Sequence, residues 1–401
     1  MDNQNKNLIL ATALSFLVIL IWFVLFPPEE PTVTAGDPIA QQGADLLAPP
    51  AAVDASGAAP SPEAQPEAAR VPIDTGRLTG SVSLSGGRID DLSLRGYAET
   101  LDEGADIVRL LRPVGQSGAF YALFGWAPGG ALDFADVPGA NTEWELAGGD
   151  VLRPGRPVTM RWDNGKGLVF TRSIAIDDAY MFTVTDSVRN NGTAEARLAP
   201  YGLVARHGKP TDLQNFFILH EGVVQMADGK LLEDSYKNLA DLPVNEAERA
   251  RVAMTEVANS GWIGFTDKYW MTTLAPAPGQ SFTAVVKYAP GADIYQTEAR
   301  MPVQTVAPGA TATSASYLFA GAKVWEVING YQEAPGIDRF VDSIDWGWFY
   351  FLTKPIFRLL HWLHGMIGNM GWSIIALTFI LKLLVFPLAR KSYISMAKMK
   401  E

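Results

Sequence analysis

The 401-residue chain has no cysteine, which excludes a disulfide framework, a thiolate metal site and a cysteine nucleophile. Histidine is nearly as scarce, with four in all. His207 and His220 stand apart with no carboxylate pattern beside them, so structural or surface roles are expected of both. No run of Lys and Arg interleaved with aromatics occurs, and the net charge is -11. That argues against nucleic acid as a partner, because phosphate binding needs clustered cations. Neither a nucleotide motif nor a Ser/His/Asp or paired-carboxylate constellation stands out, so no catalytic residue, metal or cofactor is expected. What is plentiful is apolar: 48% of residues, with 10% aromatic, enough for a large core and for two or three domains.

Charge is also scarce over two long stretches, absent from the first and a single lysine in the second. Leu8 to Phe26, LILATALSFLVILIWFVLF, is long enough at ~1.5 Å per residue to cross a ~30 Å hydrocarbon layer. A cleaved signal peptide is the rival, but PPEE follows directly and the weak Val33-Thr34-Ala35 match lies too far downstream, so an uncleaved anchor is preferred. Residues 371–389, GWSIIALTFILKLLVFPLA, form the second stretch, followed at once by Arg390, Lys391, Lys398 and Lys400. By the positive-inside rule that end is cytoplasmic. Lys6 precedes the first span, whereas no Lys or Arg occurs from Pro27 to Ala69. Residues 1–7 are therefore also expected in the cytoplasm, and residues 27–370 are expected to be exported.

Residues 27–70 hold nine Pro and twelve Ala, a composition that reads as a flexible tether. From Val71 to Pro335 the texture becomes short alternating runs such as GLVFTRSIAI and YMFTVTDSV, broken by Gly, Asn and Asp. Period-two alternation of this kind predicts about fifteen antiparallel strands in a large β-sandwich. Asn190-Asn191-Gly192 predicts a hairpin turn, which accounts for the Asn191-Gly192-Thr193 sequon without a glycan. Ala240–Arg251 and Lys323–Tyr331 are expected to be helical. A sandwich like this could hold a glycan or a partner protein through exposed aromatics, with the spans as mere anchors; that reading stays open.

Residues 338–368 lead into the second span. Lys354, Arg358 and His361 recur on one side of a helix, and Leu352, Ile356, Leu359, Leu360 and Leu363 on the other. With its Trp and Tyr residues this amphipathic segment suits a membrane–water interface, apolar face down; packing against the sandwich is the alternative. Gly365, Gly368 and Gly371 are expected to break it. Inside the second span Lys382 lies eight residues before Arg390, ~12 Å below the cytoplasmic end, farther than a lysine stem reaches. Pro387 leaves the Leu383 carbonyl without its helical donor. An ammonium beside a freed carbonyl suggests a wet interior face; a snorkelling lysine with no task is the bland reading.

DNQNKNLILATALSFLVILIW, GGRIDDLSLRGY, GWIGFTDKYW at Gly261–Trp270 and the run from IDWGWFYFLTKPIF to SYISMAKMK are together similar to the YidC family of bacterial membrane protein insertases, along essentially the whole chain. The resemblance implies an inner-membrane, multi-pass protein with a periplasmic β-supersandwich, an interfacial helix and a hydrophilic groove among its spans. The family usually has Arg where this chain has Lys382, which would be the groove charge that meets substrate, with Pro387 and Trp372 as structural support. It implies insertion and folding of inner-membrane client proteins, alone or with the Sec translocon, with ribosome contact through the family's later cytoplasmic part. The family continues past SYISMAKMK with a cytoplasmic hairpin and further spans, and two spans alone cannot enclose a groove.

Overall fold

The computed structural model describes residues 68–211, 213, 219–347 and 349–398. The expected first span, 8–26, and all but the end of the expected tether lie outside the described residues. Twenty strands form two sheets in which every strand pair is antiparallel. The eleven-stranded sheet runs in space through Arg70–Asp74, Leu78–Ser83, Ile89–Ala98, Phe120–Gly129, Ala196–His207, Ile294–Arg300, Phe282–Ala289, Ala250–Val257 and Val244–Asn245. Ile107–Leu111 and Gln304–Val306 attach at its sides. The nine-stranded sheet runs through Lys230–Ser235, Gly222–Ala227, Gly261–Thr266, Trp270–Pro276, Thr311–Ala322, Met181–Asn190, Leu168–Ile176, Val158–Asp163 and Glu145–Gly148.

The alternation is literal in Leu168–Ile176, where every second residue from Leu168 to Ile176 is buried. Phe120–Gly129 is instead buried at all ten positions. Phe120, Phe124 and Trp126 enter the main core between the sheets, whereas Tyr121, Leu123 and Ala127 join Tyr201 and Leu203 in a second cluster on the opposite face. A strand covered on both faces reads as a continuous apolar run, and FYALFGWA is one. Arg172, aimed between the sheets, is paired with Asp186 across the strands at 2.7 Å and stacks 4.9 Å from the Trp144 ring centroid.

Three expectations are corrected. Ala240–Arg251 is not helical: one turn, Tyr236–Leu239, is capped by Ser235, and strands then begin at Val244 and Ala250. The Asn245 side chain takes the N–H groups of Ala247 and Glu248, and Glu248 turns inward to Lys287 and Arg300, so acidic residues that could have solvated a helix close a loop instead. Asn190-Asn191-Gly192 is a turn but not a hairpin, because it carries the chain from the nine-stranded sheet to the eleven-stranded one. The buried Asn190 amide holds that crossing by donating to the carbonyls of Ala194 and Val306, each at 2.8 Å. Among the described residues the strands number twenty rather than about fifteen, several being two- to five-residue ladders too short for a periodic signal.

Candidate functional site

Three helices follow the last strand: α1 (Trp325–Glu333), α2 (Tyr350–Ile367) and α3 (Met370–Lys398). α1 begins two residues later than the sequence suggests, since Val324 is still extended. It packs on the sandwich through Ile328 and Tyr331, whose hydroxyl donates to Asp177 at 2.6 Å. A short 3-10 turn, Phe340–Ser343, comes next. It is tied down by Trp262 of the GWIGFTDKYW stretch, whose indole N–H donates to the Asp338 carbonyl at 3.0 Å. In the same stretch Asp267 takes both Arg206 terminal nitrogens at 2.9 Å. The motif thus spends its indole N–H and the Asp267 carboxylate inside the domain, with Lys268 and Tyr269 at the hairpin tip left exposed.

The cationic side of α2 is docked on this frame. Lys354 pairs with Asp342 and lies 5.5 Å from the Tyr350 ring and 5.9 Å from that of Trp346. Asp342 also takes Arg339 at 2.5 Å. One to two turns on, Phe357 meets Trp346 at 5.4 Å and Trp325 at 5.8 Å, and His361 meets Trp325 at 4.7 Å and Glu326 at 3.4 Å. These contacts hold Lys354 and His361, both half-buried, against the sandwich-side residues. Beneath the joint, the His220 N–H donates to Asp345 at 2.8 Å. Burial pushes the Glu233 carboxyl up and the Lys323 ammonium down there, and Lys323 donates to Thr266 at 3.0 Å.

The leucine side of α2 is not open either. Leu363 is buried, Ile356, Leu359 and Leu360 are half-buried, and Leu352 alone of that set is exposed. α3 packs along α2, and Ser373 and Leu377 are its buried residues among those described. The exposed stripe lies between the two covered sides: Phe351, Pro355, Arg358, Trp362 and Met366, spaced as one line along a helix. Gly365 does not break α2; the helix ends at Gly368, which takes φ +73° and donates to the His364 carbonyl. Asn369 then starts α3 by accepting from the Trp372 N–H, and Gly371 lies inside that helix.

α3 holds a 25-residue stretch, Met370–Ile394, long and apolar enough to cross a membrane. Pro387 sits inside it without ending it. Lys382 is exposed and has no ionic or hydrogen-bonding partner among the described residues. Thr378, one turn earlier, turns its hydroxyl back to the Ile374 carbonyl at 2.8 Å. The structure does not gather Lys382, Pro387 and Trp372 into one cluster. Trp372 is 64% exposed near the opposite end of the helix, ~15 Å from Lys382 by helical rise. Trp325, Glu326 and Asp342 escaped the sequence reading because their partners on α2 lie 12 to 36 residues away, beyond any local spacing rule.

The match to known proteins covers this whole arrangement. Residues 70–359 match the family model of the YidC periplasmic domain, and residues 362–401 that of the 60Kd inner membrane protein. The chain is 61% identical to the membrane protein insertase YidC of Paracoccus denitrificans, over all of this chain and 68% of that protein. It is 61% identical to the corresponding protein of Cereibacter sphaeroides strain KD131, over all of this chain and 66% of that one. It thus spans about two thirds of the length of these curated relatives. Among solved structures, the Slr1438 protein from Synechocystis sp. PCC 6803 is similar at 9% identity and a TM-score of 0.40, covering 64% of this chain and 96% of that one. Identity at this level along every residue, from the sandwich through α3, makes the chain a member of the YidC family of membrane protein insertases, an inner-membrane family with a periplasmic domain.

Proposed function

We propose that the protein acts as an insertase and folding chaperone for client proteins of the bacterial inner membrane, alone or beside the Sec translocon, with ribosome contact from the cytoplasmic side. The observation that carries this reading is Lys382: a cation with no partner among the described residues, in the middle of an apolar stretch of a chain 61% identical to named insertases. A charge at bilayer depth costs at least ~2.5–3.5 kcal/mol unless water or a partner reaches it. In this reading Lys382 keeps a hydrophilic groove wet and draws polar or acidic client tails into it, with Pro387 adding the freed Leu383 carbonyl and Trp372 anchoring the outer end of the span. Lysine serves as a point charge here, without the bidentate fork of arginine. Hydrophobic partitioning of the client segment, and the membrane potential for acidic outward-moving tails, would drive the process.

The topology belongs to the same proposal: residues 8–26 and 371–389 both span, the N-terminus is cytoplasmic, and α2 lies in the outer interface. Substituting Lys382 by Ala or Glu in the complete protein and following insertion of a single-span client tests the groove. A loss of about tenfold or more is expected for Glu, with insertion restored by Arg. Unchanged insertion for every client would reject the role and leave the binding-module reading, in which isolated residues 71–335 bind a glycan or a partner protein tightly and Lys382 is dispensable.

A further inference from the structure

We infer that the lipid-facing line of α2 is the stripe Phe351–Arg358–Trp362–Met366, and that Arg358 takes a phospholipid phosphodiester of the outer leaflet. This deepens the reading of α2 as an interfacial helix and rests on α3 being a span. The roll of α2 is fixed from two sides. Lys354, Phe357 and His361 are held by Asp342, Trp346, Trp325 and Glu326, and Leu363 is closed off beside the start of α3. Neither side can turn to a bilayer without breaking those contacts. The line left over begins with Phe351, 65% exposed, and ends with Trp362, 58%, and Met366, 68%.

Chemistry names the occupant. Of the Lys and Arg residues from 338 to 368, Arg339 and Lys354 are both paired with Asp342, whereas Arg358 is exposed and has no ionic or hydrogen-bonding partner among the described residues. A free guanidinium flanked one turn on by Trp362 and two turns back by Phe351 matches the headgroup zone, where phosphate oxygens accept from Arg in a fork and aromatic rings settle at the same depth. α2 also hands over directly to α3 through Gly368 and Asn369, so the stripe ends at Met366, four residues before the apolar stretch of the proposed span begins at Met370. The leucine side, which the sequence alone puts downward, becomes a helix-packing surface instead.

The absence of cysteine from the chain makes single-cysteine probes clean. In the full protein, fluorophores placed by Phe351→Cys, Met366→Cys, Thr353→Cys, Ile367→Cys and Leu384→Cys would be read in vesicles of phosphatidylethanolamine and phosphatidylglycerol carrying spin-labelled lipid. Quenching at positions 351 and 366 about twofold or more above that at 353 and 367 is expected, although Met366 and Ile367 are neighbours in sequence. Arg358→Glu should about halve the quenching at position 366, and Arg358→Lys should keep most of it. Equal or stronger quenching at 353 and 367 overturns the stripe. Probes at 351 and 366 that are dry yet unquenched by lipid mean that protein covers the line, which also overturns it. An unaltered signal in Arg358→Glu removes the phosphate contact. If position 384 is unquenched as well, it is the span, and with it the insertase reading, that fails; a failure confined to α2 leaves that reading standing.

Discussion

On the outer face of the eleven-stranded sheet, Lys287 and Arg300 each touch two carboxylates, Glu248 and Glu298, at 2.6 to 2.7 Å. On α3, Lys382 touches none among the described residues. Both regions place cations among apolar neighbours. The sandwich pairs such charges from within: Arg172 with Asp186, Arg206 with Asp267, and the four-residue network just described. Closed pairs of this kind fix a structure, because removing one partner strands the other without water. A cation left open in an apolar helix is instead available to something outside the chain. The contrast separates residues that hold the domain from residues that await a partner.

The sharpest way to break that contrast is inside the network. Glu298→Ala leaves Lys287 and Arg300 to share Glu248 and should cost about 3–5 kcal/mol in the unfolding free energy of the protein measured by urea titration. Trp262→Ala removes a fully buried indole and its hydrogen bond to Asp338, with a similar expected loss of about 3–5 kcal/mol. It should also loosen α1 and the turn after it, which limited proteolysis near Arg339 would report. Acid gives a gentler version. Burial pushes the Glu248 carboxyl up, but hydrogen bonding from Arg300 and the charge of Lys287 outweigh it and hold the group below its ordinary 4.5. The folded state therefore binds that proton less readily than the unfolded chain does. Its stabilisation is complete above pH 4.5 and is lost as the pH falls through the lowered value. The stability difference between the wild type and Glu248→Gln should shrink over that acid range in parallel urea titrations.

Smaller effects belong to the joint and to α3. Asp342→Asn should weaken the hold on Lys354 by about 1 kcal/mol, the pair being only partly buried; a charge-reversed pair, Asp342→Lys with Lys354→Asp, should recover part of it in a double-mutant cycle. Lys382→Met should leave the unfolding of the sandwich within about 0.5 kcal/mol of the wild type, because no described residue depends on it. Destabilisation of the sandwich comparable to that of Glu298→Ala would erase the distinction between the two kinds of cation.

Much of this organisation was legible beforehand, for identifiable reasons. Leu168–Ile176 reads as a strand because its alternation is set by the pleat itself, and α3 reads as a helix able to cross a bilayer because its length and apolar composition are properties of one contiguous segment. α1 was legible to within two residues. The failures share a cause as well. Ala240–Arg251 carries the composition of a helix, yet Glu248 gains more from a buried lysine and a half-buried arginine that reach it from residues 287 and 300. Asn190-Asn191-Gly192 carries the composition of a hairpin turn, and the second sheet, through the carbonyl of Val306, decides where the chain goes next.

Taken alone, the amino-acid order determined the two-sheet character of the large domain, the apolar stretch after residue 370 and the odd lysine within it, since each follows from local periodicity or from the cost of a charge in hydrocarbon. Tertiary structure decided which carboxylate meets which cation and which line of α2 stays uncovered. Those outcomes depend on contacts such as Trp325 with His361 and Asp342 with Lys354, made between segments whose separation in sequence carries no periodic trace. A helix has several faces that composition can make apolar or charged, and only its neighbours choose the one left free.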